Sequence, residues 1–334
     1  MIIDNIMYHN FDSVEKTNQG MRLGRFSEKL MNTVNPHARY MARYACNCEM
    51  RFVTDANTCF VSLLSEEGSA RVDIYYGDYM IQERILESGV ITRISLTKPQ
   101  PVSDLDGDFY KNNKFKYGVW RLHFHNTVIT VCGVDTLGQA VRPPLPEEMP
   151  GKTMLSYGSS ISHGSGAVYN PVSYVNSTAY RLGVDCLAKG VGGSCFIENE
   201  VADEFSARSD WDFALFELGV NMVDRFEVEV FKERFNYFAD TMYKTGKKLV
   251  FLTMFPYTLL YRKNSEELQK KYRKMNEIIR EKCSEFDKER VMLVEGSDIL
   301  TTTEMLSADG IHPSTEGHIM MGQKLAEIIK EFVL

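Results

Sequence analysis

The periodicity of the chain changes once, at a proline-rich stretch, and that change limits the possible folds more than any other feature of the sequence. The stretch reads Pro143-Pro144-Leu145-Pro146-Glu147-Glu148-Met149-Pro150. Proline has no backbone N–H and a fixed φ, so these residues suit neither a helix interior nor a central strand, and they mark a linker. After it, short apolar runs at 153–157, 184–188, 213–218, 248–254 and 291–294 alternate with helical patterns at 172–182, 226–243, 265–283 and 315–332. Such alternation predicts right-handed crossovers, a parallel sheet covered on both faces, and ligands at the C-terminal ends of the strands.

Before the linker the pattern is different. Strand-like runs at 48–53, 58–64, 70–76, 90–96, 119–123 and 127–132 are separated by turn signals such as Glu66-Glu67-Gly68, and alternation such as Arg71-Val72-Asp73-Ile74-Tyr75 turns one face inward. Short strands at this spacing, without a long helical pattern, predict an all-β jelly-roll-like sandwich. The expected organisation is a β-sandwich domain over residues 1–148 and an α/β domain over 149–334, and 334 residues suit two cores better than one.

Two short segments about 150 residues apart carry the chemistry: Tyr157-Gly158-Ser159-Ser160-Ile161-Ser162 after the first strand of the α/β half, and Asp309-Gly310-Ile311-His312-Pro313 before its last helix. Ser160 can act as a nucleophile, His312 can take its proton, and Asp309 can hold the imidazole in the tautomer that frees its far nitrogen. Two further segments fall at the same sheet edge, Lys189-Gly190-Val191-Gly192-Gly193-Ser194 and Glu217-Leu218-Gly219-Val220-Asn221. The backbone N–H groups of Ser160 and Gly193 with the Asn221 amide make a three-donor oxyanion hole, and Gly190 and Gly192 stand as alternatives to Gly193. The G-x-S-x-G elbow of another hydrolase fold is absent, because residue 162 is Ser.

These four blocks, in this order, resemble those of the SGNH, or GDSL-like, hydrolase superfamily of esterases and lipases over about residues 151–334. The resemblance implies a flavodoxin-like three-layer fold, with Ser160 as nucleophile, Gly193 and Asn221 as oxyanion donors, His312 as base and Asp309 as its orienter. Two positions depart from the family pattern: Ser159 stands where the first block usually has Asp, and Met222 where the third usually has Asp. With a β-sandwich in front, the whole is similar to two-domain carbohydrate acetylesterases. The implied activity is hydrolysis of short acyl esters, acetyl above all, on carbohydrate through an acyl-enzyme. A lipid esterase or thioesterase of the same superfamily, and a carbohydrate-binding protein with an inert hydrolase half, are the alternatives.

Other residues are weighed against this site. His163, Phe255 and Tyr257 fall near the Ser160 edge and are expected to line the substrate pocket, the aromatics by stacking on a sugar ring. His318, on the final helix, is expected to be structural, and Cys195 an incidental small apolar residue. Cys46 with Cys48, and His123 with His125, share strand faces but lack a second ligand pair at zinc spacing, so no metal is expected. The chemistry requires no cofactor.

A net charge of -7 without a basic run excludes the electrostatic footprint of a nucleic-acid binder and a polybasic membrane anchor. The early Asp4 breaks a signal-peptide pattern, and no apolar stretch is long enough to span a bilayer. An odd number of cysteines, 7, reads as reduced thiols and a cytoplasmic location. The expected partner is a small-molecule or oligosaccharide ester, with homo-oligomers left open.

Overall fold

The computed structural model describes residues 1–99 and 107–334. The chain forms two compact units: one of Met1–Glu28, Ala42–Gly151 and Gly183–Asp185, the other of Lys29–Met41, Lys152–Leu182 and Cys186–Leu334.

The first unit holds two sheets. One runs in the order Ile2–Ile3, Ile6–His9, Cys48–Thr54, Trp120–Phe124, Ala70–Tyr76, Tyr79–Leu86, with Val141–Arg142 also paired to Cys48–Thr54; the other runs Ser13–Lys16, Met21–Gly24, Ile129–Asp135, Thr58–Ser65, Ile91–Thr97. Neighbouring strands are antiparallel. Met50, Phe52, Val72, Ile74 and Leu122 from the first sheet meet Val61, Leu63, Ile94 and Leu96 from the second in one buried cluster. Period-2 geometry then sends the intervening Glu49, Arg51, Asp73 and Arg121 to the opposite face of the first sheet. Buried charges need partners there, and they have them: Arg51 Nε lies 2.7 Å from Glu49 Oε2, and Arg121 also pairs with Glu49. His125 Nε2 is 3.0 Å from Asp73 Oδ2, which gives that histidine a structural partner. Among the described residues, no cluster of His, Cys, Asp and Glu has the arrangement of a metal site, and no helix is long and apolar enough to cross a membrane.

The strand Tyr79–Leu86 escapes the sequence pattern because it lies at a sheet edge and is exposed along much of its length, so its residues carry little apolar alternation. Two short helices in the N-terminal half, Glu28–Thr33 and Pro36–Met41, escape it as well. Lys29–Met41 belongs to the second unit, whereas a boundary drawn at the prolines puts it with the first. Asn35, between the two helices, explains the placement. Its Nδ2 donates to Glu198 Oε1 at 2.6 Å and to Ser194 O at 3.1 Å, while its Oδ1 caps the following helix by accepting from Ala38 N–H at 2.9 Å.

The second unit is built on a parallel sheet in the order Asp185–Ala188, Thr153–Gly158, Phe213–Glu217, Lys248–Leu252, Val291–Val294, which is 2-1-3-4-5 in order of appearance. Burial on both faces explains the continuous apolar runs; Phe213–Glu217 is buried throughout. The helices Tyr174–Leu182 and Thr315–Val333 pack on each other, and Val228–Tyr243 packs on both Asn199–Ala207 and Glu266–Ser284. These are the two helix sets of a doubly wound sheet, whose order reverses between its first and third strands and opens a crevice at their C-terminal ends. Ser160 follows the first of these strands and Asn221 the third.

Candidate active site

The Ser160 turn is built by its neighbours. Ser159, with extended backbone, is the N-cap of the short helix Ser160–His163, and its Oγ accepts from Ile161 N–H at 3.1 Å. The cap is itself anchored: Ser159 N–H and Oγ–H donate to Glu217 Oε2 at 2.9 and 2.6 Å, and Ser162 Oγ–H donates to the same oxygen at 3.1 Å. Tyr174 OH completes the chain, 2.7 Å from Ser162 Oγ. Gly158 has no side chain because a Cβ there would strike Ser162 Oγ and approach Glu217 Oε2 to 2.8 Å. Glu217 is 1% exposed. Burial pushes its carboxyl up to about 7, although the hydrogen bonds from Ser159 and Ser162 pull the other way.

Ser160 Oγ lies 2.8 Å from His312 Nε2, and His312 Nδ1 lies 2.7 Å from Asp309 Oδ2. A carboxylate accepts only, so Nδ1 carries the ring proton and Nε2 is free to accept from Ser160. The loop holds this pair locally, because Asp309 Oδ1 accepts from the backbone N–H groups of Ile311 and His312 at 2.8 and 2.9 Å. Burial works against the charge on Asp309, but the His312 ring and the two backbone donors outweigh it and hold the carboxyl well below the usual range. Gly310 is required between them: its φ is +70°, and a Cβ would strike Thr258 Cγ2.

Ser160, His312, Gly192, Gly193, Asn221 and Tyr257 line one cavity of about 540 Å³. Asn221 Oδ1 accepts from Cys195 N–H at 3.2 Å, which leaves the amide's NH2 to donate into the cavity. Gly193 has φ +66° and borders the cavity, whereas Gly190 packs against the backbone of Ser162 and His163, where a Cβ would come within 2.6 Å of His163 N. Gly192 and Gly193 are thus on the cavity wall and Gly190 is not. Another cavity, of about 320 Å³ beside Tyr272 and Arg280, has no histidine on its walls, and its Glu295 is paired with Arg280 at 2.7 Å.

Two expected pocket residues are elsewhere. His163 is buried with Nδ1–H donating to Gly190 O at 3.0 Å, so its ring ties the helix to the glycine loop and does not line the cavity. Phe255 is buried edge-on against Tyr174, with ring centroids 5.6 Å apart, and is core. His318 accepts from Tyr174 N–H at 3.1 Å and donates to Ser165 O at 2.9 Å; burial lowers it to about 4 and keeps it neutral, although the hydrogen bond to Ser165 works the other way. Sequence reasoning missed other wall residues: His37 and Met41 from the helix Pro36–Met41, Arg225, and Arg262. No local motif marks His37, whose helix follows Asn35 and its hydrogen bonds to Ser194 and Glu198.

A serine, a histidine and an aspartate thus stand in hydrogen-bonded line at the switch point of a doubly wound sheet, with Gly193 and Asn221 on the wall of the same cavity. The chain belongs to the GDSL-like lipase/acylhydrolase family, which matches residues 151–330. No curated protein sequence matches it. Among solved structures it is similar to the salicylyl-acyltransferase SsfX3 from a tetracycline biosynthetic pathway, at 13% identity and a TM-score of 0.76 over 99% of this chain and 97% of that one. It is also similar to a family two carbohydrate esterase from Cellvibrio japonicus, at 12% identity and a TM-score of 0.59 over 99% and 96% of the two chains. A third is an acetyl xylan esterase from the rumen bacterium Butyrivibrio proteoclasticus, at 11% identity and a TM-score of 0.56 over 99% and 96%. At these identities the likeness is one of fold.

Proposed function

We propose that the protein is a serine esterase that releases acetyl or another short acyl group from a carbohydrate ester. One observation carries the reading: the hydrogen-bonded line from Ser160 Oγ through the His312 ring to Asp309, facing a cavity that Gly193 and Asn221 also border. Ser160 Oγ attacks the ester carbonyl as His312 Nε2 takes its proton. Asp309 stabilises the imidazolium, and the N–H groups of Ser160 and Gly193 with the Asn221 amide hold the tetrahedral oxyanion. Collapse breaks the bond to the alcohol, which leaves with the proton from His312, and water repeats the sequence to release the acid. The carbohydrate part draws support from the similarity to the carbohydrate esterases and from a cavity with polar walls at His37, Arg225 and Tyr257.

Release of acetate from a panel of acetylated oligosaccharides, set against p-nitrophenyl acetate and octanoate, tests the reading. Preference for octanoate or for thioesters would move it to lipid or thioester substrates, and failure to react with a fluorophosphonate probe would leave a binding protein. A second reading, transfer of the acyl group to another alcohol in place of water, draws on the fold likeness to SsfX3. Added acceptor alcohols that divert product from free acid to new ester separate the two. The first unit's two antiparallel sheets around one core support a jelly-roll-like sandwich. A cytoplasmic setting is proposed from the sequence alone, on its odd number of cysteines, 7.

A further inference from the structure

We infer that Glu217 is a positioning residue for the nucleophile: from the neighbouring strand, its carboxylate fixes the turn that sets Ser160 against His312. This rests on Ser160 being the nucleophile. Helix Ser160–His163 has only 4 residues, too few to hold its own shape by cooperative hydrogen bonding, so external ties decide where Ser160 points. Three of those ties converge on one atom. Glu217 Oε2 accepts from the N-cap Ser159 through N–H and Oγ–H and from Ser162 further along, so both ends of the helix are pinned to the sheet. Ser159 then passes the constraint on, since the same Oγ that donates to Glu217 accepts from Ile161 N–H, next to Ser160.

The cost of this arrangement argues that it serves the site. No Lys, Arg or His is hydrogen-bonded to Glu217 among the described residues, and its Oε1, also buried, has no hydrogen-bond partner. A buried carboxylate without a counter-charge is among the more destabilising groups a core can hold. A carboxylate oxygen holds several donors more strongly than an amide oxygen does, so Gln would fill the same space and relax the turn. The sequence also gives up a side chain at Gly158 to make room for the network. Groups that oppose stability and persist beside a reacting atom are expected where they fix its geometry.

The test compares the full-length wild type with Glu217→Gln, Ser159→Asp and the double variant at pH 8, by the second-order rate of labelling with a fluorophosphonate probe and by turnover of p-nitrophenyl acetate. Glu217→Gln is expected to label about 10- to 100-fold more slowly. Its kcat should fall to match, KM should stay within about two-fold, and its thermal midpoint should be no lower than that of the wild type. Slower chemistry without lost stability separates positioning from simple structural support. Ser159→Asp places a second carboxylate where Oγ now sits 2.6 Å from Glu217, and should be slower still. The double variant returns one carboxylate to the turn, now at the N-cap and within reach of the new amide on the neighbouring strand, and should label at least about ten-fold faster than Ser159→Asp alone. If Glu217→Gln does not fold, this comparison decides: rescue supports the role, and a folded double variant no faster than Ser159→Asp overturns it. Wild-type labelling rates in folded Glu217→Gln overturn it as well. A wild type that does not label at all overturns the nucleophile assignment and this inference together.

Discussion

Replacing Glu217 with Gln removes a buried ionisation, and the effect on stability should depend on pH in a defined direction. The folded protein raises this carboxyl from 4.5 to about 7, with burial as the leading cause. At about 1.4 kcal/mol per pH unit, that difference corresponds to about 3 kcal/mol. The sign follows from proton binding. Between the two values the folded state holds the proton more tightly than the unfolded chain, so the contribution of Glu217 is fully present below the unfolded pKa and is lost as pH rises through about 7. Urea unfolding of wild type and Glu217→Gln from pH 4.5 to 8.5 reads the difference. The wild type should lose about 3 kcal/mol relative to the variant across that range. The buried amide nitrogen of Gln adds a cost of about 1–3 kcal/mol that does not vary with pH, so the slope and not the offset is the prediction. His318 and His123, lowered to about 4 and about 3 by burial, act with the opposite sign, stabilising above the normal histidine range and less as pH falls. Both proteins contain them, so they cancel in the difference. A gap that stays constant with pH would show that Glu217 titrates as it does in the unfolded chain, and would remove the energetic argument for its being a burden carried for the site.

Further outcomes concern the site itself. Ser160→Ala should fold normally and lose about 10³- to 10⁶-fold in activity, so turnover near the wild-type level in a folded variant refutes the nucleophile. Asn221→Ala should lower kcat about 10²- to 10³-fold with KM little changed; a change confined to KM would make it a substrate-binding residue. Asp309→Asn should cost about 10²- to 10⁴-fold in kcat while leaving fluorescence and circular dichroism unchanged, because the amide cannot stabilise an imidazolium as a carboxylate does. A chain beginning at residue 149 lacks Lys29–Met41 and with it the His37 and Met41 wall of the cavity, so its preference among acetylated sugars should differ from that of the full chain. Equal selectivity in the two proteins would show that this wall does not contact substrate.

Ser160, His312 and Asp309 can be read from the sequence because each depends on a short local pattern: a turn after an apolar strand, and two side chains three residues apart on one loop. The parallel strands are equally legible, since burial on both faces leaves continuous apolar runs. His163 misleads because spacing from Ser160 says nothing about which way a ring turns at the end of a four-residue helix, and there the Gly190 carbonyl claims it. Phe255 misleads for a related reason: a position after a strand fixes the edge of the sheet, not the face, and Tyr174 packs against it from the core side. Glu217 is in view as part of a block, but its role depends on a contact with the neighbouring strand's turn, 58 residues earlier, and no local pattern reports such a pairing.

The tie between Asn35 and Glu198, 163 residues apart, has a consequence for how the chain is made. At about 5–20 residues per second, the ribosome releases the helix Pro36–Met41 on the order of 10 s before the residues it must bind. The catalytic unit therefore cannot mature as a C-terminal module that closes up behind a finished N-terminal one; its earliest piece has to be kept unpaired until its partners emerge. The same interleaving restricts genetic exchange. A single crossover at the proline linker would join a hydrolase to a foreign sandwich but leave Lys29–Met41 behind, so a viable recombinant of this architecture needs a donor whose N-terminal half brings an equivalent of that segment with it.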